Sequence, residues 1–84
     1  MAYLYVLQSL ASGKFYVGST SGLTRRLSEH HRNHSPSTRG RGPWELVYQE
    51  EFHSLAAARR REGEIKSWKS HAAIELLIRE RSAG

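Results

Sequence analysis

Two β-forming segments near the N-terminus, separated by a short turn, constrain the fold of this chain more than any other feature. Residues 3–7 and 15–18 are rich in aromatic and β-branched side chains, which favour strands. Between them, Ser12 and Gly13 are typical turn residues. Residues 3–19 are therefore predicted to form a β-hairpin, and the rest of the chain must cover it.

The segments after the hairpin predict three helices and one further strand. The helices are expected over residues 23–31, 55–67 and 72–79, and the strand over residues 44–50, where apolar and polar side chains alternate. Ser54 stands in the N-cap position of the second helix. The polar segment 33–43 is predicted to be a loop. The expected class is α/β, a small three-stranded sheet packed with helices in the order β-β-α-β-α-α.

The length and composition limit what this fold can contain. A chain of 84 residues, of which 38% are hydrophobic, suits one domain with one core, so residues 1–84 are predicted to be a single domain. Cysteine is absent, which excludes disulfides and thiolate metal sites. No apolar run is long enough to span a membrane, and no signal-peptide pattern precedes the first strand. We expect a soluble, cytoplasmic protein without a membrane partner.

The charge balance points to a polyanionic partner. Thirteen Lys and Arg residues face eight acidic ones, for a formal net charge of +5, and most of the bases are arginine. The arginine guanidinium matches phosphate oxygens bidentately, so such a surplus favours nucleic acid. A solvated basic face is the common alternative. Residues 59–61, a run of three arginines, are predicted to form such a face or to touch DNA phosphates.

Charged side chains fall on helix faces that should be apolar. Glu62 lies on the stripe that contains Ala58 and Ile65, where a carboxylate needs an ion-pair partner or a bound cation. The position of Glu62 on a helical wheel leaves both the ion pair and the bound cation open. Arg26 and His30 share the inner face of the first helix. Arg26 therefore either forms a salt bridge with Glu62 or converges with it and His30 on one cleft, which would suit a phosphodiester.

The hairpin tyrosines are placed to form the floor of that cleft. Tyr3 and Tyr5 share one face of the first strand, and Tyr16 and Gly18 share one face of the second. Packing is the ordinary role of tyrosine in a sheet. A glycine inside a strand, however, often marks the close approach of another group. Two hydroxyls beside a bare stretch of backbone are thus predicted to meet the substrate.

The order of these residues resembles the GIY-YIG nuclease family. Tyr3-Leu4-Tyr5 followed by Tyr16-Val17-Gly18 is similar to the paired signature of the family, with Tyr3 where the name has glycine. Arg26 follows Tyr16 by ten positions, and Glu62 lies in an Arg-Glu-x-x-Ile-Lys motif. These two residues look like the phosphate-binding arginine and the metal-binding glutamate of the family.

Two further segments resemble one branch of this family. Residues 25–30 read Arg-Arg-Leu-x-Glu-His, and residues 38–48 contain Thr-Arg-Gly-Arg before Pro-x-x-Leu-Val-Tyr. Both patterns are similar to the small stand-alone bacterial branch, which is related to the N-terminal nuclease domain of the excinuclease C subunit. The resemblance covers nearly the whole chain.

The resemblance implies a metal-dependent DNA endonuclease that uses one Mg²⁺ or Mn²⁺ and no small-molecule cofactor. By the same resemblance, Glu62 holds the metal and Arg26 clamps the scissile phosphate. Tyr5 and Tyr16 orient or deprotonate the attacking water, and family members differ over which tyrosine is the base. His30 falls where relatives place a residue that supports the site.

DNA is the expected partner, with contacts at Gly18 and at the loop arginines Arg39 and Arg41. Low sequence specificity is expected, which leaves room for a protein partner that directs the enzyme to its target in DNA repair or recombination. The alternative is a non-catalytic nucleic-acid-binding module on the same fold. A purely structural protein would require the inward positions of Arg26, His30 and Glu62 to be coincidence.

Overall fold

A computed structural model describes residues 1–31 and 43–83 of the chain. Within these residues the chain forms three strands and three helices: β1 (Ala2–Ser9), β2 (Phe15–Thr20), α1 (Leu23–His31), β3 (Trp44–Phe52), α2 (Leu55–Ser67) and α3 (His71–Ala83). This confirms the predicted α/β class and the order β-β-α-β-α-α, although α3 is longer than expected. The predicted loop 33–43 lies, apart from Pro43, outside the described residues. None of the described helices is long and apolar enough to cross a membrane.

The sheet is antiparallel, with β1 in the centre and β2 and β3 at its edges. The hairpin turn contains Gly13, whose φ of 77° is a backbone conformation that glycine adopts without steric cost. The hairpin register pairs Tyr5 with Gly18 and Leu7 with Tyr16. Because paired residues point to the same face of a sheet, Tyr5 and Tyr16 lie on one face.

Helices cover both faces of the sheet, an assignment that the sequence did not make. One face holds a core cluster against α2 and α3, formed by Leu4, Val6, Val17, Tyr48 and Ile65. The opposite face holds Tyr5, Leu7 and Trp44, against Leu23 and Leu27 of α1. Nearly all of β1 is therefore buried, since its alternate residues supply two different clusters.

α2 begins and packs as the sequence predicts. The Ser54 side chain accepts a hydrogen bond from the Ala57 amide at 3.2 Å and so caps the helix. Ala58 and Ile65 are fully buried against the sheet. These two residues fix which side of α2 faces the sheet.

Arg61 corrects the prediction of a solvated or DNA-facing arginine run. Its side chain is only 23% exposed, donates to the Glu50 carboxylate at 3.1 Å, and lies 5.8 Å from the centre of the Trp68 ring. The reason is its position three residues after Ala58 and four before Ile65, which brings it to the border of the buried stripe. Arg61 thus ties α2 to β3, while Arg59 and Arg60 are exposed.

Candidate active site

The Tyr5 ring lies across the backbone of β2 at Gly18. Tyr5 is 1% exposed and pairs with Gly18 in the hairpin. A Cβ atom at position 18 would lie 2.5 Å from the Tyr5 hydroxyl oxygen and 2.6 Å from Cζ. The group that approaches Gly18 is therefore the Tyr5 phenol. Contact between Gly18 and nucleic acid stays a prediction.

A Gly18→Ala substitution should displace the Tyr5 ring and destabilise the protein by about 1–3 kcal/mol, the usual cost of overpacking a buried contact. Gly63→Ala is the matched control. Among the described residues, nothing beyond the chain neighbours of Gly63 and the backbone of α2 lies within 4 Å of a Cβ at this position, so this change should stabilise the protein by about 0.8–1 kcal/mol. Urea unfolding of both variants measures the difference. Equal stabilisation by both would show that the Tyr5 ring moves aside without cost.

Tyr16 and Trp44 extend the aromatic surface that begins at Tyr5. The ring centres of Tyr5 and Tyr16 are 6.3 Å apart, and Tyr16 packs edge-on against Trp44 at the same distance. Tyr16 is half-buried, whereas Tyr5 and Trp44 are buried. Tyr16 and Gly18 share a face of β2, as predicted. Their partners on β1, Leu7 and Tyr5, both belong to the cluster on the α1 face, whereas Val6 between them belongs to the opposite cluster.

Charges from two helices act on the Tyr5 hydroxyl. Burial raises the pKa of Tyr5, with a further rise from Tyr16; the Arg26 guanidinium lowers it, and the Glu62 and Glu29 carboxylates raise it again. The net effect is a pKa well above the usual value of about 10. The Tyr5 hydroxyl therefore stays protonated at neutral pH and is suited to donate a hydrogen bond.

This shift predicts a loss of stability at alkaline pH. Below pH 10 Tyr5 is protonated in both the folded and unfolded states; above it the unfolded state ionises first, so the free energy of unfolding falls as pH rises. Tyr5→Phe should flatten that fall between about pH 9.5 and 11. Part of the fall in the free energy of unfolding will remain in this variant, since a hydrogen bond to Glu51 raises the pKa of Tyr3 and burial raises that of Tyr48. An equal fall in wild type and Tyr5→Phe would contradict the assignment.

Glu62 is paired on both of its oxygens. Oε1 accepts a hydrogen bond from the Ser19 hydroxyl at 2.5 Å, and Oε2 accepts one from the Lys66 ammonium at 2.6 Å. The Glu62 side chain is 22% exposed. The structure therefore gives Glu62 an ion-pair partner, a lysine in place of the arginine that the sequence suggested, and the role of Glu62 as a metal ligand stays a prediction.

The candidate site lies around the edge strand β2. Ser19 alternates with Gly18, so it lies on the α2 face with Val17, and Glu62 approaches β2 from that side. Tyr5 and Tyr16 lie on the α1 face. The two groups approach the same short stretch of β2 from opposite faces.

Arg26 pairs with Glu29 on its own helix. The two groups are 3.5 Å apart, and their side chains are 42% and 38% exposed. The salt bridge between Arg26 and Glu62 that the sequence allowed is thus not among the ion pairs of the described residues. Arg26 is also more exposed than its inward wheel position suggests, although its charge acts on Tyr5.

Three of the predicted site groups lie outside the part of the chain that the structure describes: the His30 side chain, Arg39 and Arg41.

Three contacts of the candidate site were not predicted from the sequence. Lys66 follows Glu62 by four residues, a spacing at which helix side chains meet, so the sequence contained that signal. The approach of Ser19 to Glu62 depends on how α2 crosses the sheet, and the contact of Trp44 with Tyr16 depends on strand order. Neither could be read from the sequence.

The chain is similar to known proteins over most of its length. The family model described as the GIY-YIG catalytic domain matches residues 1–74. A UPF0213 protein of Natronomonas pharaonis is 47% identical over 77 residues, which cover 90% of this chain and 88% of that protein. A UPF0213 protein of Halobacterium salinarum is 39% identical over 79 residues, which cover 93% of this chain and 100% of that protein.

The fold is also similar to a solved structure. The solution NMR structure of a UPF0213 protein from Bacillus halodurans aligns with a TM-score of 0.58 at 36% sequence identity. The alignment covers 93% of this chain and 83% of that one. The range matched by the family model contains every candidate site residue described above.

Proposed function

Because this chain belongs to the GIY-YIG catalytic domain family, we propose that it is a divalent-metal-dependent endonuclease that hydrolyses phosphodiester bonds in DNA. The electrostatic environment of Tyr5 is the observation that most directly supports this. A guanidinium from α1 and a carboxylate from α2, those of Arg26 and Glu62, both act on its hydroxyl. This pairing suits phosphodiester hydrolysis, since a cation neutralises the phosphate and a carboxylate can hold a metal ion.

Glu62 is the residue that would hold the divalent cation. Its carboxylate is 22% exposed, lies beside the oxygen of the Ser19 hydroxyl, and already pairs with one cation, the Lys66 ammonium, whose place a metal ion would take. Mg²⁺ prefers oxygen ligands and is commonly held by one or two carboxylates, with water and phosphate oxygens completing its shell. Within the described residues, no group of three or more His, Cys, Asp or Glu side chains lies together, and the proposed site has one carboxylate. When bound, the metal would polarise the phosphate and acidify a water molecule.

The remaining site residues take distinct roles. Among the described residues Arg26 forms an ion pair with the partly exposed Glu29, so its guanidinium can turn to a phosphate and stabilise the charge that builds there. Tyr5 stays protonated and orients the water or phosphate by donating a hydrogen bond. We assign the acceptance of the water proton to the more exposed Tyr16, which would act as a phenolate once its own proton has passed to solvent, and His30 supports the site.

DNA binding would rely on the basic surplus of the chain, a formal net charge of +5. Arg39, Arg41 and Gly18 are the proposed contacts. Low intrinsic specificity suits a role in DNA repair or recombination within the cytoplasm, with a protein partner that supplies the target.

Cleavage of three labelled DNA substrates tests the proposal: single-stranded, duplex and branched, each with Mg²⁺, with Mn²⁺ and with excess chelator. We expect cleavage of at least one substrate that depends on the added cation. Cleavage that persists in excess chelator would contradict the metal dependence.

One observation favours the alternative, a module that binds nucleic acid without cutting it. The ion pair with Lys66 and the bond from Ser19 satisfy Glu62 without any metal, as in a purely structural carboxylate. This alternative predicts salt-dependent binding to the same three substrates without cleavage in either cation. Binding of DNA without any cleavage product would therefore show that the protein is a binding module and not an endonuclease.

A further inference from the structure

The Glu62 carboxylate has a cation of its own chain as a partner. The Lys66 ammonium lies 2.6 Å from Oε2, one helical turn after Glu62 on the outer side of α2. The Lys66 side chain is 53% exposed and the Glu62 side chain is 22% exposed. The carboxylate thus lies deeper than its partner, and the ammonium occupies the approach from solvent.

In the part of the chain that the structure describes, Lys66 is the residue that forms a salt bridge with Glu62. Arg61, the adjacent arginine, contacts Glu50 and Glu64. On the other side, Oε1 of Glu62 accepts from Ser19, a neutral hydroxyl that helps to orient the carboxylate but does not balance its charge. The charge of Glu62 is therefore balanced on one oxygen, by a flexible side chain.

Such a pair is readily exchanged. A solvent-exposed ion pair spaced four residues apart on a helix contributes little to stability, because water screens it and a long side chain must be held in place. A divalent cation at the same carboxylate carries twice the charge of an ammonium group, and the two like charges repel when both are close. Filling the site with a metal ion therefore requires Lys66 to move away.

We propose that Lys66 is an exchangeable counterion of Glu62, which a divalent cation must displace, so that Lys66 sets the metal concentration at which the site fills. This inference rests on the proposed function for one point, the assignment of Glu62 as the metal ligand. It adds a residue that weakens metal binding in the absence of substrate.

Binding of Mn²⁺ without DNA tests this directly. Calorimetric titration gives the affinity, and paramagnetic broadening of the Ser19 and Glu62 amide signals in NMR spectra locates the ion. Lys66→Met, which keeps most of the length of the side chain and removes its charge, should tighten Mn²⁺ binding roughly two- to tenfold. Lys66→Arg, which keeps the charge, should stay near wild type.

Two controls separate this effect from others. Lys14→Met removes an exposed lysine from the hairpin turn and lowers the net charge equally, so it should leave the affinity unchanged. In a Glu62→Gln background, Lys66→Met should no longer tighten binding. An unchanged or weaker affinity in Lys66→Met, or equal tightening in Lys14→Met, would overturn the counterion role. Undiminished Mn²⁺ binding and broadening in Glu62→Gln would instead overturn the metal assignment on which the proposed function depends.

Discussion

A Glu62→Gln variant is expected to lose DNA cleavage by about a thousandfold or more while remaining folded. The proposed metal would lose its one protein carboxylate, and metal catalysis contributes several kcal/mol to such reactions. The cost in stability should be small. Glutamine keeps an oxygen that can accept from Ser19, and the lost pair with the exposed Lys66 contributes less than about 1 kcal/mol.

Single-turnover cleavage and thermal unfolding of the same preparation measure the two effects separately. Glu64→Gln is the matched control, because Glu64 lies two residues away on α2, is exposed, and contacts Arg61. That variant should cleave at the wild-type rate. A folded Glu62→Gln protein that cuts DNA at full rate would rule out Glu62 as the metal ligand.

Arg26→Ala is expected to slow cleavage about a hundred- to a thousandfold, or about 2.7–4 kcal/mol, with a much smaller effect on DNA affinity. The reason is that a donor aimed at the phosphate acts mainly as charge builds in the transition state. Arg26→Lys should be nearly as slow, because it keeps the charge and loses the planar fork. Arg25→Ala, which removes the exposed neighbour on α1, is the control for net charge.

Stability measurements decide between this role and a structural one. The pair of Arg26 with Glu29 is partly exposed on both sides, so its loss should change the free energy of unfolding by less than about 1 kcal/mol. A strongly destabilised Arg26→Ala protein that cuts at the wild-type rate would assign Arg26 to structure. Near-wild-type stability with slow cleavage is the expected result.

The strands, helices and turns of this fold could be predicted because each depends on local sequence. The turn at Gly13 and the cap at Ser54 use residue types with specific backbone preferences, and both appear where expected. The burial of Ala58 and Ile65 follows from helical periodicity. Such features need no knowledge of what the segment packs against.

The candidate site could be predicted only in part from the sequence, because its contacts join distant parts of the chain. The position of Tyr5 over Gly18 depends on the hairpin register, which sets whether the phenol crosses the neighbouring strand or points past it. Arg61 was misread because a run of arginines usually marks a solvated surface, whereas Glu50 and Trp68 give this one partners. Both are tertiary contacts that local patterns do not encode.

Because β1 lies between β2 and β3, the part of the candidate site on β1 should be more rigid than the part on the edge strand β2. β1 is hydrogen-bonded on both sides and supplies both core clusters, so its backbone should be among the last parts to open in native-state fluctuations. Among the described strands β2 pairs with β1 alone, so it can open at lower cost. Tyr5 is therefore a fixed reference point, while Gly18 and Ser19 belong to an edge strand that Val17 anchors in the core and whose backbone could adjust locally to the proposed DNA substrate.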